Sequence, residues 1–310
     1  MRVVFLASGA FALPSFEALL EAGHEVVGLV TQPDKPKGRG RASAPPPLKP
    51  AAEARRVPVL QPPRIRDPDV VSALASLRPQ VLVVVAYGQL LPRSVMELAR
   101  FGAVNVHASL LPRYRGAAPI QWAIARGETE TGVTTMALDE GLDTGPILLQ
   151  RALTIGPEET AGELLPRLAR LGAALLIETL DGLHAGRLVP TPQDPDRVSL
   201  APLLQKADGR LDWSRSAEEL AWRVRGFNPW PGAFTLWRQS RLSLWRVRRL
   251  PAPHPAPAAG RLLGRDGDAL LVACGNGVLA LLEVQLEGRR RISGAAFAAG
   301  ARPEPDARFE

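Results

Sequence analysis

Cysteine, lysine and long hydrophobic runs are scarce in this sequence of 310 residues. The single cysteine, Cys274, excludes a disulfide framework and a cysteine-based zinc site, and it fits a reducing compartment. No apolar run approaches the roughly 20 residues that a membrane-spanning helix needs. The short apolar run at the N-terminus fits a buried strand better than a signal peptide, so we expect a cytoplasmic globular protein with no membrane partner.

Nucleotide-binding motifs and a metal-binding pattern are also absent. The turn Ala7-Ser8-Gly9 after the first predicted strand carries only one of the glycines that a dinucleotide-binding loop needs, so we expect neither NAD nor FAD. There is no Walker loop. We expect no metal either, because no ligand spacing relates the four histidines, which are His24, His107, His184 and His254.

Positive charge, in contrast, is in excess. The formal net charge is +7, and the isoelectric point computed from the sequence is about 10.4. Only four of the 38 basic residues are lysine, and the other 34 are arginine. A surplus of this size favours an anionic partner such as nucleic acid.

Apolar strands alternate with helices over residues 1–188, which predicts an α/β domain with a parallel sheet and helical crossovers. Its first strands are predicted at residues 2–7, 24–31, 81–86 and 103–107. Residues 189–204 contain four prolines and no clear periodicity, which is typical of a linker. Short strand-like runs at near-regular spacing over residues 205–310 predict a small β-barrel or sandwich.

Polar side chains that could perform chemistry lie at the ends of two predicted strands. Asn105 and His107 are two residues apart, so they point to the same face of their strand. The segment 138–146 follows another strand and offers Asp143, among other carboxylates. Ligands of open α/β sheets bind outside the carboxyl ends of the strands, which favours a site here.

An amide, an imidazole and a carboxylate together suit group transfer to an amine. The histidine can handle a proton, the Asn105 amide can donate to an oxygen that becomes negative, and the carboxylate can orient the imidazole. No nucleophile of the protein is needed, because the attacking atom would come from the substrate. Structural roles stay open for each residue: His107 as a strand-end histidine, Asn105 as a turn cap and Asp143 as part of an ordinary turn.

Several motifs in this order resemble one family, the formyltetrahydrofolate-dependent formyltransferases. The shared segments are Asn105–Gln121, Thr131–Thr134 and Asp139–Gly145. The segments Thr31–Gly40, Val83–Gly88 and Phe227–Gly232 narrow the resemblance to members that formylate a tRNA-bound methionine. Two small departures are Ala7-Ser8-Gly9, where the family usually has Gly-Thr-Pro, and Ala108, where it often has glycine.

The resemblance implies a Rossmann-like formyltransferase domain over residues 1–188, a linker over 189–204 and an OB-like tRNA-binding domain over 205–310. It also implies formyl transfer from 10-formyltetrahydrofolate to the α-amino group of methionyl initiator tRNA, with no metal. We expect the protein to act as a monomer. The family's catalytic roles fall on Asn105, His107 and Asp143.

Binding residues are carried over in the same way. The residues expected to contact folate lie in three loops: Ala86, Tyr87, Gly88, Leu90 and Leu91; Ser109, Leu110, Leu111 and Pro112; and Asp139, Glu140 and Gly141. The residues expected to bind tRNA are Lys35, Lys37, Arg39 and Arg41 in one basic loop, and Lys206. Arginines of the second domain are assigned to phosphate contact, and its Trp237 and Trp245 to the barrel core.

Two other functions remain open. One is an enzyme of the same fold that formylates a sugar-nucleotide amine or glycinamide ribonucleotide; the basic loop and the long second domain argue against it. The other is a non-catalytic RNA-binding protein, against which the intact set of Asn105, His107 and Asp143 argues.

Overall fold

The computed structural model describes residues 1–37, 42–251 and 257–310. By their internal contacts these residues form two compact units. The first unit consists of Met1–Gly116, Glu130–Thr154 and Leu165–Ala201. The second consists of Ala117–Thr129, Ile155–Leu164 and Pro202–Glu310. Two short segments from within the first predicted domain therefore join the second unit.

A seven-stranded sheet forms the centre of the first unit. In chain order the strands of this unit are β1 (Arg2–Ala7), β2 (Glu25–Val30), β3 (Lys35–Lys37), β4 (Ala42–Ala44), β5 (Val59–Leu60), β6 (Val81–Val85), β7 (Ala103–His107), β8 (Glu130–Ala137) and β9 (Ile147–Thr154). The order across the sheet is β5-β2-β1-β6-β7-β8-β9, and β3 pairs with β4 as a separate antiparallel ribbon. Strands β6 and β7 are buried along their whole length, as expected for strands covered on both faces.

The predicted Rossmann-like parallel sheet is confirmed for its first five strands, because every pairing from β5 to β7 is parallel. The last two strands differ from the prediction, since β8 runs antiparallel to β7 and β9 runs antiparallel to β8. Connection length gives the reason for the second reversal, because only a short loop joins β8 to β9, and a short connection between neighbouring strands requires antiparallel pairing. The longer segment 108–129 between β7 and β8 permits either direction.

Helices accompany both units. In chain order they are α1 (Leu13–Glu21), α2 (Leu48–Ala54), α3 (Pro68–Ser76), α4 (Arg93–Met96), α5 (Pro119–Ala125), α6 (Ala161–His184), α7 (Ala217–Gly226) and α8 (Gly294–Ala301). Short 3-10 helices lie at Ala10–Ala12, Pro195–Arg197 and Lys206–Gly209. Within the described residues, none of these helices combines the length and the apolar character that crossing a membrane requires.

The second unit contains a curled antiparallel sheet, which confirms the predicted small barrel-like domain. Its strands are β10 (Phe234–Trp237), β11 (Ser240–Leu250), β12 (Leu262–Asp266), β13 (Ala269–Ala273), β14 (Val278–Leu286) and β15 (Ile292–Ser293). The order is β10-β11-β14-β13-β12, with β15 paired to β14. Aromatic rings fill its core: Trp213 stacks on Phe309, and Trp237 meets Phe297 edge to face.

Helix α5 belongs to the second unit because it packs against α7. A side chain at Gly226 would lie 2.7 Å from the Gln121 carbonyl oxygen, so glycine allows the two backbones to approach closely. Phe227 is fully buried, and its ring meets Trp122 edge to face at 5.6 Å. This packing places Ala117–Thr129 in the second unit. A single boundary in the chain therefore does not separate the two units.

Cys274 provides a chemical probe of the second unit. Burial raises the pKa of its thiol to about 12, from an ordinary value of 9.0. The folded state therefore disfavours the thiolate, and this contribution to stability is present below about pH 9 and is lost as the pH rises towards 12. We expect iodoacetamide at pH 8 to label the folded protein far more slowly than the guanidinium-unfolded protein. Equal labelling rates would contradict the buried position.

Candidate active site

Strand β7 presents Asn105 and His107, both buried with exposures of 9% and 7%. Asp143 lies next to both. Its Oδ1 is 3.5 Å from Asn105 Nδ2, and its Oδ2 is 3.6 Å from His107 Nδ1. The structure therefore brings together the three side chains that the sequence analysis assigned to catalysis.

Asp143 reaches β7 by a route that differs from the prediction. Because β8 is antiparallel to β7, its last residue, Ala137, pairs with Val104 near the start of β7. The loop over residues 138–146 then carries Asp143 to the polar side chains of β7. The carboxylate is thus supplied by a returning loop, and not by the meeting of two parallel strand ends.

Hydrogen bonds distinguish the two nitrogens of His107. Nε2 lies 2.9 Å from the carbonyl oxygen of Tyr114, which can only accept, so Nε2 carries a hydrogen and donates it. Nδ1 faces Asp143. When the ring is doubly protonated, Nδ1 can donate to the carboxylate or to a substrate oxygen, and in the neutral ring it can accept a proton. The chemically available nitrogen of this histidine is Nδ1.

Backbone constraints hold Asp143 in place. Its φ of 53° lies in the left-handed region, and its Oδ2 accepts a hydrogen bond of 2.8 Å from the backbone nitrogen of Gly116. Gly116 itself has a φ of 117°, and a side chain there would lie 2.7 Å from the Ala201 carbonyl oxygen. Glycine at position 116 therefore permits the close approach that delivers this donor to the carboxylate.

The loop after β7 is anchored on β8 and β9. Thr134 Oγ1 donates to the Ser109 carbonyl at 2.6 Å and accepts from the Leu111 backbone nitrogen at 3.1 Å. Gln150 Nε2 donates to the Leu111 carbonyl at 2.7 Å. Ser109, Leu111 and Pro112 are buried, whereas Leu110 is half-buried. Of this predicted folate-contacting segment, Leu110 is therefore the most accessible member.

The predicted folate loop after β6 alternates between buried and exposed residues. Tyr87 and Leu91 are buried, whereas Ala86, Gly88 and Leu90 are exposed, Leu90 by 71%. Burial raises the pKa of the Tyr87 phenol to about 12. Its backbone carbonyl accepts hydrogen bonds from Ser8 Oγ at 3.3 Å and Gln32 Nε2 at 3.2 Å. These polar residues, which the sequence analysis missed, tie the first turn of the sheet to this loop.

A cleft of about 880 Å³ lies beside the third predicted folate loop. Its described lining includes Met96, Phe101 and the predicted residues Asp139, Glu140 and Gly141. It includes no residue from 86–91 and none of Asn105, His107 and Asp143. Asp139 Oδ1 accepts from Gly141 N at 3.0 Å and from Thr144 Oγ1 at 2.7 Å. Asp139 therefore also braces its own loop. The size of the cleft falls in the range of small-molecule sites.

The basic loop predicted to bind tRNA is only partly described. Lys35 and Lys37 lie on β3, whereas Arg39 and Arg41 lie outside the described residues. Beside this loop, Lys49 Nζ is 3.0 Å from Asp34 Oδ2, and Gln61 Nε2 donates to Asp34 Oδ1 at 2.6 Å. No sequence motif marks this cluster, which connects the start of the loop to residues after it.

Lys206 is exposed on a 3-10 helix of the second unit. No group of three or more His, Cys, Asp or Glu residues in the described parts of the chain could hold a metal ion.

The arginines of the second unit divide into two groups. Arg223 donates to the Asp208 carbonyl at 3.0 Å, and Arg225 donates to the Glu159 carbonyl at 3.1 Å. Burial lowers the pKa of both guanidinium groups. These two arginines stabilise the fold, which differs from the phosphate contact predicted for them. Arg241 likewise donates to the Pro231 and Gly232 carbonyls, at 3.4 and 3.3 Å. The other arginines predicted to contact phosphate are exposed: Arg238, Arg246, Arg248, Arg249, Arg289, Arg290 and Arg291.

Trp237 is buried in the core as predicted, whereas Trp245 is only half-buried. Trp245 Nε1 donates to Gln285 Oε1 at 3.1 Å, and the Arg291 guanidinium lies 3.4 Å from the centre of the Trp245 ring. Trp245 therefore forms part of a basic and aromatic surface instead of the core.

The chain belongs to the formyl transferase family, whose first domain matches residues 1–180 and whose C-terminal domain matches residues 203–302. This confirms the resemblance stated from the motifs. Among curated relatives, methionyl-tRNA formyltransferase of Solibacter usitatus is 53% identical over 97% of this chain and 96% of that protein. The protein of the same name from Geobacter sulfurreducens is 48% identical over 100% of this chain and 96% of that protein.

Solved structures share the fold at low sequence identity. HypX from Aquifex aeolicus, determined in complex with tetrahydrofolic acid, superimposes with a TM-score of 0.63 at 17% identity. The match covers 100% of this chain and 50% of that one, so this chain spans about half the length of HypX.

Proposed function

We propose that this protein transfers the formyl group of 10-formyltetrahydrofolate to the α-amino group of methionyl initiator tRNA, as a cytoplasmic monomer. The observation that carries the proposal is the position of Asp143 within 3.6 Å of both Asn105 and His107 in a member of the formyl transferase family. Relatives that are 53% and 48% identical over nearly the whole chain are named methionyl-tRNA formyltransferase, which supports methionyl-tRNA as the acceptor.

Each catalytic side chain has a distinct task in this proposal. Asn105 Nδ2 and the Nδ1–H of protonated His107 donate to the formyl oxygen as it gains negative charge. The Asp143 carboxyl group lies beside the imidazole and orients it. The α-amine forms the new bond to the formyl carbon and loses a proton, while the bond from that carbon to the folate nitrogen breaks and the nitrogen gains a proton. His107 Nδ1 passes its proton to the departing folate nitrogen and then takes up the proton lost by the amine, so the imidazole ends the reaction as it began.

The folate would supply its formyl group as a carbonyl bound to nitrogen. The exposed loop residues Ala86, Gly88 and Leu90, together with the exposed Asp139 and Glu140, provide surfaces to hold it. Their mixture of apolar and carboxylate groups fits a flat, partly polar ring system with hydrogen-bond donors.

Transfer of a labelled formyl group to methionyl initiator tRNA tests the proposal directly. We expect label in the aminoacyl-tRNA only when 10-formyltetrahydrofolate is present. A sugar-nucleotide amine and glycinamide ribonucleotide serve as competing acceptors. Preferential labelling of either one would replace the proposed acceptor, and folate binding without any labelling would contradict catalysis.

Replacing Arg39, which lies outside the described residues, tests the acceptor loop. In Arg39→Ala we expect the KM for methionyl-tRNA to rise about tenfold, because a contact to the RNA is lost, and the Kd for the folate to stay unchanged. Arg56→Ala is a control, since Arg56 follows α2 and is exposed. Equal weakening of tRNA and folate binding in Arg39→Ala would refute the role of the loop.

A further inference from the structure

The predicted linker supplies a side chain to the loop that carries Asp143. Gln193 Nε2 donates to the Asp143 carbonyl at 2.8 Å and to the Gly145 carbonyl at 2.8 Å. Asp143 adopts a left-handed backbone conformation, which persists in proteins when the surroundings hold it. One amide group therefore binds two carbonyls on either side of Thr144 and constrains the peptide that sets the direction of the Asp143 carboxylate.

Arg115 fixes the orientation of that amide. Its Nε and Nη2 both donate to Gln193 Oε1, at 3.0 and 2.7 Å. Since guanidinium can only donate, Oε1 must face Arg115 and Nε2 must face the two carbonyls. The positive charge on Arg115 also polarises the amide and strengthens its N–H donors.

The backbone of the same segment is joined to the catalytic loops at several points. Thr191 exchanges two hydrogen bonds of 2.8 Å with Ile147, just after the Asp143 loop. Arg115 N donates to the Ser199 carbonyl at 2.8 Å, and Ala201 N donates to the Arg115 carbonyl at 2.7 Å. Ser199 Oγ accepts from the backbone nitrogen of Tyr114, whose carbonyl holds His107. Residues 191–201 thus bind both loops that orient the site.

We propose that Gln193, oriented by Arg115, is a positioning residue that sets the Asp143 carboxylate against His107 and Asn105. The inference rests on the proposed function, because its measure is the rate of formyl transfer. Residues 191–201, which the sequence pattern predicts to be only a linker, thereby gain a role in catalysis.

Two substitutions test Gln193. Gln193→Ala removes the amide, and Gln193→Glu keeps its shape but places an acceptor against two carbonyl oxygens. In both we expect kcat for formyl transfer to fall about tenfold or more, because small misplacements of a catalytic group are costly, while KM for either substrate changes less than about threefold. Gln80→Ala is the control. Gln80 accepts a hydrogen bond from the Arg2 backbone nitrogen at the amino ends of β1 and β6, away from the site, and the kcat of this variant should match the wild type.

A double-mutant cycle separates positioning from general stabilisation. In an Asp143→Ala background, Gln193→Ala should cause no further loss of kcat, because its effect passes through Asp143. If Gln193→Ala lowered kcat by the same factor in the wild-type and Asp143→Ala backgrounds, or if Gln193→Glu had the wild-type kcat, the inference would be overturned. An inactive wild-type protein would refute the proposed function instead, so the two failures are distinguishable. The unfolding temperatures of all variants show whether a decrease in kcat results from destabilisation of the fold.

Discussion

Replacing Asn105 or His107 by alanine is expected to lower kcat for formyl transfer by about 10²-fold or more. In the proposed mechanism each variant removes a donor to the oxygen on which charge develops, and in a buried site water cannot replace that donor fully. The two residues are 9% and 7% exposed. Steady-state kinetics with methionyl initiator tRNA and folate donor, both at saturation, measure the effect.

His24→Ala is the matched control for the histidine. His24 is half-buried before β2, where its Nδ1 lies 3.2 Å from the N-terminal amine, and it has no part in the proposed chemistry. Its kcat should remain at the wild-type value. Folate binding by Asn105→Ala should persist, since the expected loss concerns the reaction step. Near wild-type turnover in either Asn105→Ala or His107→Ala would reject the assigned roles.

The second large effect is expected from Gly145→Ala, a substitution that touches no catalytic group. A side chain at position 145 would overlap the backbone carbonyl of Ala137, which cannot rotate away as a flexible side chain could. The loop must shift, and with it Asp143, two residues earlier. A displacement of about 1 Å can cost about 10²-fold in rate, so we expect kcat to fall by that order.

Gly300→Ala is the corresponding control, because a side chain at that helical position in α8 meets nothing within 4 Å. It should leave kcat unchanged and slightly raise the unfolding temperature, since alanine has less conformational freedom in the unfolded chain. Thermal unfolding and kcat are measured for both variants. Unchanged turnover in Gly145→Ala would show that the loop tolerates the shift and that Asp143 does not depend on it.

Local patterns predicted many elements of this fold correctly. The strands β6 and β7 are recognisable in the sequence as apolar runs, because strands buried on both faces consist largely of apolar residues. Asn105 and His107 interrupt the apolar run of β7 two residues apart. Burying a polar side chain in a strand costs free energy unless it is hydrogen-bonded, so such residues are uncommon in buried strands and stand out in the sequence.

Strand direction and long-range polar contacts are harder to predict from the sequence. Nothing in the run from Glu130 to Ala137 distinguishes an antiparallel strand from a parallel one, since direction depends on which neighbour the strand meets. The contact of Gln193 with Asp143 spans 50 positions of the chain. In the sequence, nothing distinguishes Arg223 and Arg225 from other arginines, yet both donate hydrogen bonds to backbone carbonyls.

By itself, the sequence determined the alternation of strands and helices, the family of the protein and the residues able to stabilise a negative oxygen, because each of these depends on residue types at short spacing. Only the tertiary structure decided that a returning loop brings Asp143 to β7, that Gln193 and Arg115 hold this loop, and which arginines stabilise the fold. These contacts join residues distant in the chain, and their partners are mostly backbone groups, which every residue type carries alike.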